Sequence, residues 1–182
     1  GLTGASIMAA GPVNLHAATP VVAPCESLYK KKPVPANVLR TLVRAHERWM
    51  EQRSNPEGRR AELCQADLSR AMLLGANLER AQLEGAVLRQ ANLHQANLSQ
   101  ASLAEADLSR AALDYSILSG ADLRGAKLSG ANLFRAIGDE AALFNAVLVG
   151  ARLREATFER AQMDGADLTS ADLTDGTFID AY

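Results

Sequence analysis

The sequence predicts an all-β solenoid, a column in which the chain turns a corner every five residues. From Ala61 to Asp180 the chain divides without a gap into 24 units of five residues. A period of five fits neither the 3.6-residue period of an amphipathic helix nor the two-residue period of a strand. Aromatic residues make up only 4% of the chain, so the core must be narrow and built from Ala and Leu. Four units would complete one square coil, and the whole repeat would give about six coils.

Two positions of the unit predict which side chains face inward. The first position is Ala in every unit except Ser116 and Gly176, and the third is Leu, Phe or Met in every unit except Gly138. The other three positions are mostly polar. We therefore expect the third-position side chain to point to the axis of the column, with the first-position residue beside it. Burying each Leu contributes about 1.5–3 kcal/mol against the entropy of ordering its unit, so stability is collective.

The unit A-[DN]-L-x-x, seen in segments such as ADLSR and ANLER, resembles the repeat of the pentapeptide-repeat family. The repetitive region, residues 61–182, covers about two thirds of the chain. The resemblance implies a right-handed quadrilateral β-helix. It implies much less about function, because one fold carries many functions.

Residues 1–35 are predicted to form an apolar leader followed by a basic, proline-containing linker. The leader is rich in Ala and Gly and carries no charge before Glu26. Such a segment is typical of the apolar region of a secretory signal, and equally of an extended leader. The tract Lys30-Lys31-Lys32 could contact a protein partner or an anionic membrane, which would give peripheral membrane association. The other interpretation of this tract is a solvated linker.

Residues 36–60 are predicted to form a capping helix and a loop that leads into the repeat. An open β-column exposes unpaired backbone at its end and needs a cover. Apolar residues recur at helical spacing over 37–52, and a loop signal follows over 55–58. The run HERW followed by PEGRRAEL resembles the segment that precedes the repeats in many bacterial members of the family. The residues expected to form the cap, beginning with the N-cap and ending with a plug over the first coil, are Asn37, Leu42, His46 and Trp49.

Both ends of the repeat raise alternatives that the sequence leaves open. The two cysteines, Cys25 and Cys64, are too few for a disulfide framework. In an exported protein they could bridge the leader to the first coil, and in the cytosol both would remain reduced. At the other end the repeat stays in register to Tyr182. Either Tyr182 folds across the last coil or another chain covers it, so end-to-end or C-terminal self-association is one expectation.

Charge is unevenly distributed along the chain. Residues 1–60 carry nine Lys/Arg against four Asp/Glu, whereas residues 61–182 carry ten against seventeen. Sorting the units into four sides places the excess negative charge on two adjacent sides. This acidic edge is expected either to keep the protein soluble or to dock a basic partner. Its candidate residues are Glu62, Glu84, Glu105, Asp139, Glu140 and Asp164.

A second candidate surface is an apolar belt between residues 134 and 149, where outward positions become apolar. Exposed apolar residues grouped in this way are typical of contact sites, although a degenerate repeat is an equal explanation. Gly138 lies inside the belt at a position that should carry a core Leu. We expect a local distortion there, with Ile137 turning inward to fill the gap. The candidate partner-binding residues are Phe134, Ile137, Phe144, Val147 and Val149.

The sequence does not predict an enzyme. Catalysis needs titratable groups that converge in a cleft, and the outward positions of a regular column do not converge. The three histidines, His16, His46 and His94, fall in different parts of the chain and predict no metal cluster. No phosphate-binding loop or nucleophile elbow is present in the sequence, and we expect no cofactor.

The leading hypothesis is a non-catalytic protein–protein interaction scaffold or accessory subunit, exported to the periplasm and attached to a larger assembly. The alternative comes from the gyrase-protecting branch of the family, in which an acidic column mimics DNA and modulates a type II topoisomerase in the cytoplasm. That branch tends to carry loops that interrupt the repeat, and none occurs over residues 61–180. Ten Lys/Arg also dilute the acidity of the repeat. Direct nucleic-acid binding is not expected.

Overall fold

The computed structural model describes Cys25, residues 27–51 and residues 60–182. One helix, α1 (Ala36–Glu51), precedes a column of single-residue β-bridges. From Glu62–Gln82 to Thr157–Thr177, parallel bridges join residues that lie 20 positions apart. Because successive bridges are five residues apart along the chain, the column has four sides. The predicted leader, residues 1–24, and the loop signal over 55–58 lie outside the described residues.

The four sides are named here by the bridged residues of the first coil. Glu62 marks side 1, Asp67 side 2, Met72 side 3 and Asn77 side 4, and residues 20 positions further along share the same side. Coils 1 to 6 are the successive segments 61–80, 81–100, 101–120, 121–140, 141–160 and 161–180. Coil 1 is the lower end of the column and coil 6 the upper end.

The corners are formed by the fifth residue of each unit. These residues are 17 non-glycine residues and seven glycines, 24 in all, and each has a positive φ, from 53° at Arg135 to 69° at Gly165. The next N–H donates to the third-position carbonyl of the unit just completed, as Ala86 does to Leu83 at 3.0 Å. A non-glycine residue in this region costs on the order of 1 kcal/mol. The bonds between coils must offset this repeated cost.

Three backbone hydrogen bonds on each side join one coil to the next. On side 3, the N–H of Leu73 donates to the carbonyl of Asn92 and the N–H of Gly75 to that of His94, both at 2.8 Å. The N–H of Asn92 donates downward to the carbonyl of Ala71 at 2.9 Å. Third- and fifth-position N–H groups therefore point to the coil above, and second-position N–H groups point to the coil below.

The core lies along the axis of the column. Third-position Leu side chains are buried through the first five coils, and first-position Ala residues pack beside them. In coil 6 the same positions are more open, since Leu168 is half-buried and Leu173 is exposed. The inward and outward positions predicted from the unit are thus the ones that the structure shows.

Side 4 contains one irregular core position, Gly138, and the packing around it differs from the prediction. The ring of Phe158, one coil above, fills the space: a Cβ at Gly138 would lie 2.7 Å from its Cζ atom. Phe158 in turn stacks on Phe178, with ring centroids 6.0 Å apart. The expectation that Ile137 turns inward is wrong, because the space is occupied and 41% of Ile137 is exposed. The expected distortion is also absent from this ladder, where Gly138 N–H donates to the Thr157 carbonyl at 2.7 Å.

Helix α1 packs against the lower end of coil 1 through its buried residues Leu39, Val43 and His46. The imidazole of His46 is fully buried. Its Nδ1 accepts a hydrogen bond from the N–H of Ala61 at 3.1 Å, so its Nε2 carries the proton and donates to the carbonyl of Glu79 at 2.9 Å. One neutral side chain therefore satisfies two backbone groups that the repeat leaves open at this end.

The start of α1 differs from the prediction. Helical hydrogen bonding begins at Pro35, whose carbonyl accepts from the N–H of Leu39 at 2.9 Å. Asn37 therefore lies in the first turn and is not the N-cap. Proline suits the position before the helix because an N–H there would have no intrahelical partner. Leu42 and Trp49 are half-buried, and the Trp49 ring stacks on that of His46 with centroids 5.5 Å apart.

The segment before α1 also pairs with coil 1. The N–H of Asp67 donates to the carbonyl of Lys32 at 2.9 Å, and the N–H of Val34 donates back to the carbonyl of Asp67 at 3.1 Å. The N–H of Lys31 donates to the carbonyl of Gln65 at 2.6 Å. Residues 30–34, predicted to belong to a linker, thus cover the lower edge of side 2. The three lysine side chains remain exposed.

The pairing of Gly138 with Phe158 predicts a compensating double substitution. Gly138→Leu alone should destabilise the protein because the new side chain overlaps the Phe158 ring, and Phe158→Leu alone should leave a cavity. Together they restore the Leu column. The double variant should therefore lose less free energy of unfolding than the two single variants lose in sum, by at least about 1 kcal/mol. Urea unfolding of all four proteins measures this coupling, and strictly additive effects would contradict the packing described.

The environment of His46 predicts a pH dependence of stability. Burial lowers the pKa of His46 below its usual value near 6.5, and the unfolded chain therefore binds more protons than the folded one around that pH. Stability should be complete above about pH 6.5 and fall as the pH drops below it. In His46→Gln this part of the fall should disappear. The free energy of unfolding, measured from pH 7.5 to 5, would contradict the assignment if both proteins showed the same slope.

Candidate functional site

The corner between sides 3 and 4 collects the outward aromatic side chains of the middle coils. Fourth and fifth positions of side 3 units occupy this corner, and residues 20 apart stack along it. Tyr115 lies between His94 below and Phe134 above, with ring centroids 5.6 Å and 5.5 Å away, and both pairs meet edge to face. Such pairs contribute about 0.5–1.5 kcal/mol beyond the area they bury, so the three rings form a fixed ladder.

Charged groups surround this ladder of rings. The Cζ atom of Arg135 lies 5.1 Å from the centroid of the Phe134 ring and 5.9 Å from that of Tyr115, within the range of a cation–π interaction. Its Nε donates to a carboxylate oxygen of Glu155 at 2.7 Å. That hydrogen bond, more than any other contact, raises the pKa of Arg135. The guanidinium is thereby held over the rings.

Two isoleucines extend the apolar surface from the corner onto side 4. Ile117 and Ile137 are a bridged pair, 38% and 41% exposed. Tyr115, two residues before Ile117, is 41% exposed. We define the corner patch as Tyr115, Ile117, Phe134 and Ile137. Its polar margin consists of Arg135 with Glu155 and of the hydrogen-bonded pair His94 and Asp114.

The structure separates the predicted apolar belt into two groups on different parts of the column. Phe134 and Ile137 belong to the corner patch. Phe144 lies at the corner between sides 1 and 2, and Val147 and Val149 lie on side 2 and at its end. Because ten residues correspond to half a coil, Phe134 and Phe144 face opposite directions. The belt therefore does not form one surface.

Sequence reasoning missed Tyr115 and Ile117, which the structure adds to the patch. Ile117 precedes Ile137 by 20 residues, and Tyr115 precedes Phe134 by 19, so each lies one coil below a predicted residue. A comparison of outward apolar residues one coil apart, at a spacing of 19 to 21, would have found them. The signal was in the sequence, but a window confined to residues 134–149 could not contain it.

The predicted acidic residues lie around side 1. Asp139 and Glu140 occupy the corner between sides 4 and 1, and Glu62 lies on side 1 itself. The carboxylate of Glu140 is 2.9 Å from Nη2 of Arg160, and that of Asp139 accepts a hydrogen bond from the N–H of Glu159 at 3.0 Å. Part of the negative charge is thus already engaged. The other three, at the corner between sides 1 and 2, are Glu84, Glu105 and Asp164.

Cys25 and Cys64 form a disulfide, with their Cα atoms 6.2 Å apart. The bond ties the segment that covers side 2 to the corner between sides 1 and 2. Glu84 lies beside it, and its Oε2 is buried without a hydrogen-bond partner among the described residues. These three residues could supply metal ligands only if both cysteines were thiolates, so the disulfide form is not a metal site.

In the part of the chain that the structure describes, no helix has the length and apolar character needed to cross a membrane.

Comparison with family profiles gives a match over most of the repeat. The profile of the family described as "Pentapeptide repeats" matches residues 59–90, 91–130 and 139–175, which is more than half of the chain. No curated protein sequence matches significantly.

Three solved structures are similar to parts of this chain. A pentapeptide repeat protein from the thylakoid lumen of Arabidopsis thaliana is 34% identical over 53% of this chain and 64% of its own, with a TM-score of 0.47. HetL, involved in heterocyst differentiation regulation in the cyanobacterium Nostoc sp., is 36% identical over 62% and 59%, with a TM-score of 0.25. Rfr23 from the cyanobacterium Cyanothece is 32% identical over 58% and 63%, with a TM-score of 0.24. The match covers less than two thirds of each of these chains.

The disulfide predicts a stability that depends on redox conditions. Cys25 and Cys64 are 39 positions apart, and the loop-entropy model assigns about 4 kcal/mol to closing a loop of that size. Reduction should therefore lower the midpoint of thermal unfolding. Cys25→Ser should unfold at the same lower temperature as the reduced protein, with or without reductant. Equal midpoints for oxidised and reduced wild-type protein would contradict a structural role for the bond.

Proposed function

This chain belongs to the pentapeptide-repeat family, whose members fold as right-handed quadrilateral β-helices, and from that premise we propose that it is a non-catalytic scaffold that holds a protein partner through the corner patch. The proposed fold is a column of six coils covered at its lower end by α1. The corner patch supplies the fixed surface, and the rigid ladder of backbone bonds keeps it in place.

The observation that carries this proposal is the composition of the corner patch. It combines a tyrosine, a phenylalanine and two isoleucines at its centre with an arginine and acidic residues at its margin. Aromatic residues and arginine are the groups most enriched among residues that dominate binding energy, and a polar rim around an apolar centre is the usual anatomy of an interface. The expected partner is a protein that offers apolar side chains to Ile117 and Ile137.

A scaffold also fits the geometry of the patch better than an enzyme does. The patch lies on a convex corner, whereas a catalytic site needs groups that converge on a substrate. Rings held edge to face by their neighbours lose little conformational freedom on binding, which favours association.

We also propose that the protein works outside the cytosol, in the periplasm or a comparable compartment, as an accessory subunit of a larger assembly. The disulfide between Cys25 and Cys64 supports this, because structural disulfides persist in oxidising compartments and are rare in the cytosol. The uncharged leader over residues 1–24 is consistent with export.

The competing function is that of a cytoplasmic DNA mimic that modulates a type II topoisomerase. It would use the acidic edge, whose residues Asp139 and Glu140 are partly engaged by neighbouring groups. The disulfide also argues against a cytosolic protein. Binding to a purified topoisomerase that depends on the acidic edge would establish this function instead.

The test compares two substitutions at equivalent positions. Ile137→Asp changes the corner patch. Val147→Asp makes a similar change on side 2, and both residues are the second residue of their five-residue unit. Asp occupies the second position naturally at Asp107 and Asp122, so both variants should fold, which thermal unfolding verifies. A photoreactive residue at position 137 first identifies the contacting partner in the native host.

The affinities of the two variants for the purified partner are then compared with that of the unchanged protein. Ile137→Asp should weaken binding about 30-fold, which corresponds to a dominant interface residue worth about 2 kcal/mol. Val147→Asp should change the affinity less than about twofold. Equal losses in both variants, or none in either, would show that the corner patch is not the docking surface.

A further inference from the structure

The regular ladder implies where backbone groups are left over at the lower edge of side 3. In the coils above, each second-position N–H donates downward, and the second- and fourth-position carbonyls accept bonds from the coil below. In coil 1 these groups on side 3 are the N–H and carbonyl of Met72 and the carbonyl of Leu74. All three point down, away from coil 2. They are the same three groups through which each side of a higher coil bonds to the coil below it.

The neighbouring sides of the same edge already have bonds to other parts of the chain, two at the bridged residue of side 2 and one at the end of side 4. On side 2, Asp67 exchanges two hydrogen bonds with Lys32 and Val34. At the end of side 4, the carbonyl of Glu79 accepts a bond from His46. Among the residues that the structure describes, none bonds to the backbone of Met72 or to the carbonyl of Leu74.

A groove of about 740 Å³ lies between α1 and this edge. Leu39 and Val43 of the helix form one wall. Met72 and Leu74 line the other, and they are 74% and 58% exposed although both are large and apolar. Exposed apolar side chains beside unpaired backbone are the combination to which an added strand binds.

The groove has a positive bias. Arg40 and Arg44 on α1 and Arg70 on coil 1 line it, and all three are exposed. Two acids, Glu47 and Asp67, also line it, so three arginines against two acids leave the lining with a net charge of +1. The exposed lysines at 30–32 lie in the segment that pairs with side 2, and the end of this segment, at Val34, lines the groove. An acidic ligand fits this field better than a neutral or basic one.

We propose that this groove binds an extended, acidic segment of a partner protein, which adds a β-bridge to Met72 and pairs its carboxylates with Arg40 and Arg44. The protein's own segment shows the geometry on the adjacent side, where Lys32 and Val34 flank Asp67 in the same way. The main chain of the ligand supplies hydrogen bonds, and one apolar side chain packs between Met72 and Leu74. This site differs from the corner patch in position and in the chemistry of its ligand.

The probe for the test is a fluorescein-labelled peptide of sequence DEVTVDE, which is acidic, extended and β-branched at its centre. Two control peptides separate the contributions. KKVTVKK keeps the strand-forming centre and reverses the charge. DEVTPDE keeps the charge and loses the N–H of the residue after the central Thr, which is the counterpart of Val34. Fluorescence anisotropy should show binding of the first peptide, with both controls at least about tenfold weaker.

Charge substitutions at two places test the location. The double variant Arg40→Glu and Arg44→Glu should weaken peptide binding at least about tenfold. Its matched control, Arg110→Glu with Arg152→Glu, places the same change on exposed arginines of coils 3 and 5 and should alter binding less than about twofold. Equal effects in the two variants would overturn the assignment of the groove.

Amide hydrogen exchange tests the backbone contact itself. Bound peptide should slow exchange of the Met72 amide at least about tenfold, because its N–H gains an acceptor. The Asn92 amide on the same side, already bonded to Ala71, serves as the reference. An unchanged Met72 amide would refute the added strand. Self-association that is lost with Arg40→Glu and Arg44→Glu would also refute the proposal, since the occupant would then be a second copy of this chain.

Discussion

The backbone hydrogen bonds between residues about 20 positions apart hold every other part of this structure in place. They fix the four sides, and they offset the cost of 24 fifth residues with positive φ. They also turn a distance in sequence into a contact in space, which is how Tyr115 comes to lie against Phe134. Surfaces in this protein are therefore vertical stripes, and a short run of sequence samples each stripe only once.

The same register explains how the core tolerates irregularity. A missing side chain at Gly138 is filled from directly above by Phe158 and not by the chain neighbour Ile137. Each core position meets its counterpart one coil away, whereas its neighbour in sequence faces outward. Packing faults are consequently corrected along a column, and the outer surface stays free to vary. The corner patch depends on this separation of core from surface.

Much of the fold could be predicted from the sequence because one local rule repeats. The pattern of the sequence predicts the period of five and the buried third position. It also predicts that α1 residues such as His46 belong to the cap at the lower end of the column. What could not be predicted depends on contacts between coils or on the ends. The helix begins after Pro35, and Asn37 is not its N-cap. Residues 30–34 pair with coil 1 because the backbone groups at the lower edge of coil 1 need hydrogen-bond partners. The apolar belt of residues 134–149 groups neighbours in sequence, whereas outward neighbours in space lie one coil apart.

Deleting one unit at two different places tests the register most directly. Removing residues 121–125 keeps the repeat but shifts Phe134 by one side relative to Tyr115, whereas removing residues 86–90 leaves His94, Tyr115 and Phe134 in register. Nuclear Overhauser contacts between the rings of Tyr115 and Phe134 report the outcome. We predict that they disappear in the first variant and persist in the second, with both proteins folded. Contacts that survive removal of 121–125, or vanish on removal of 86–90, would contradict the 20-residue register.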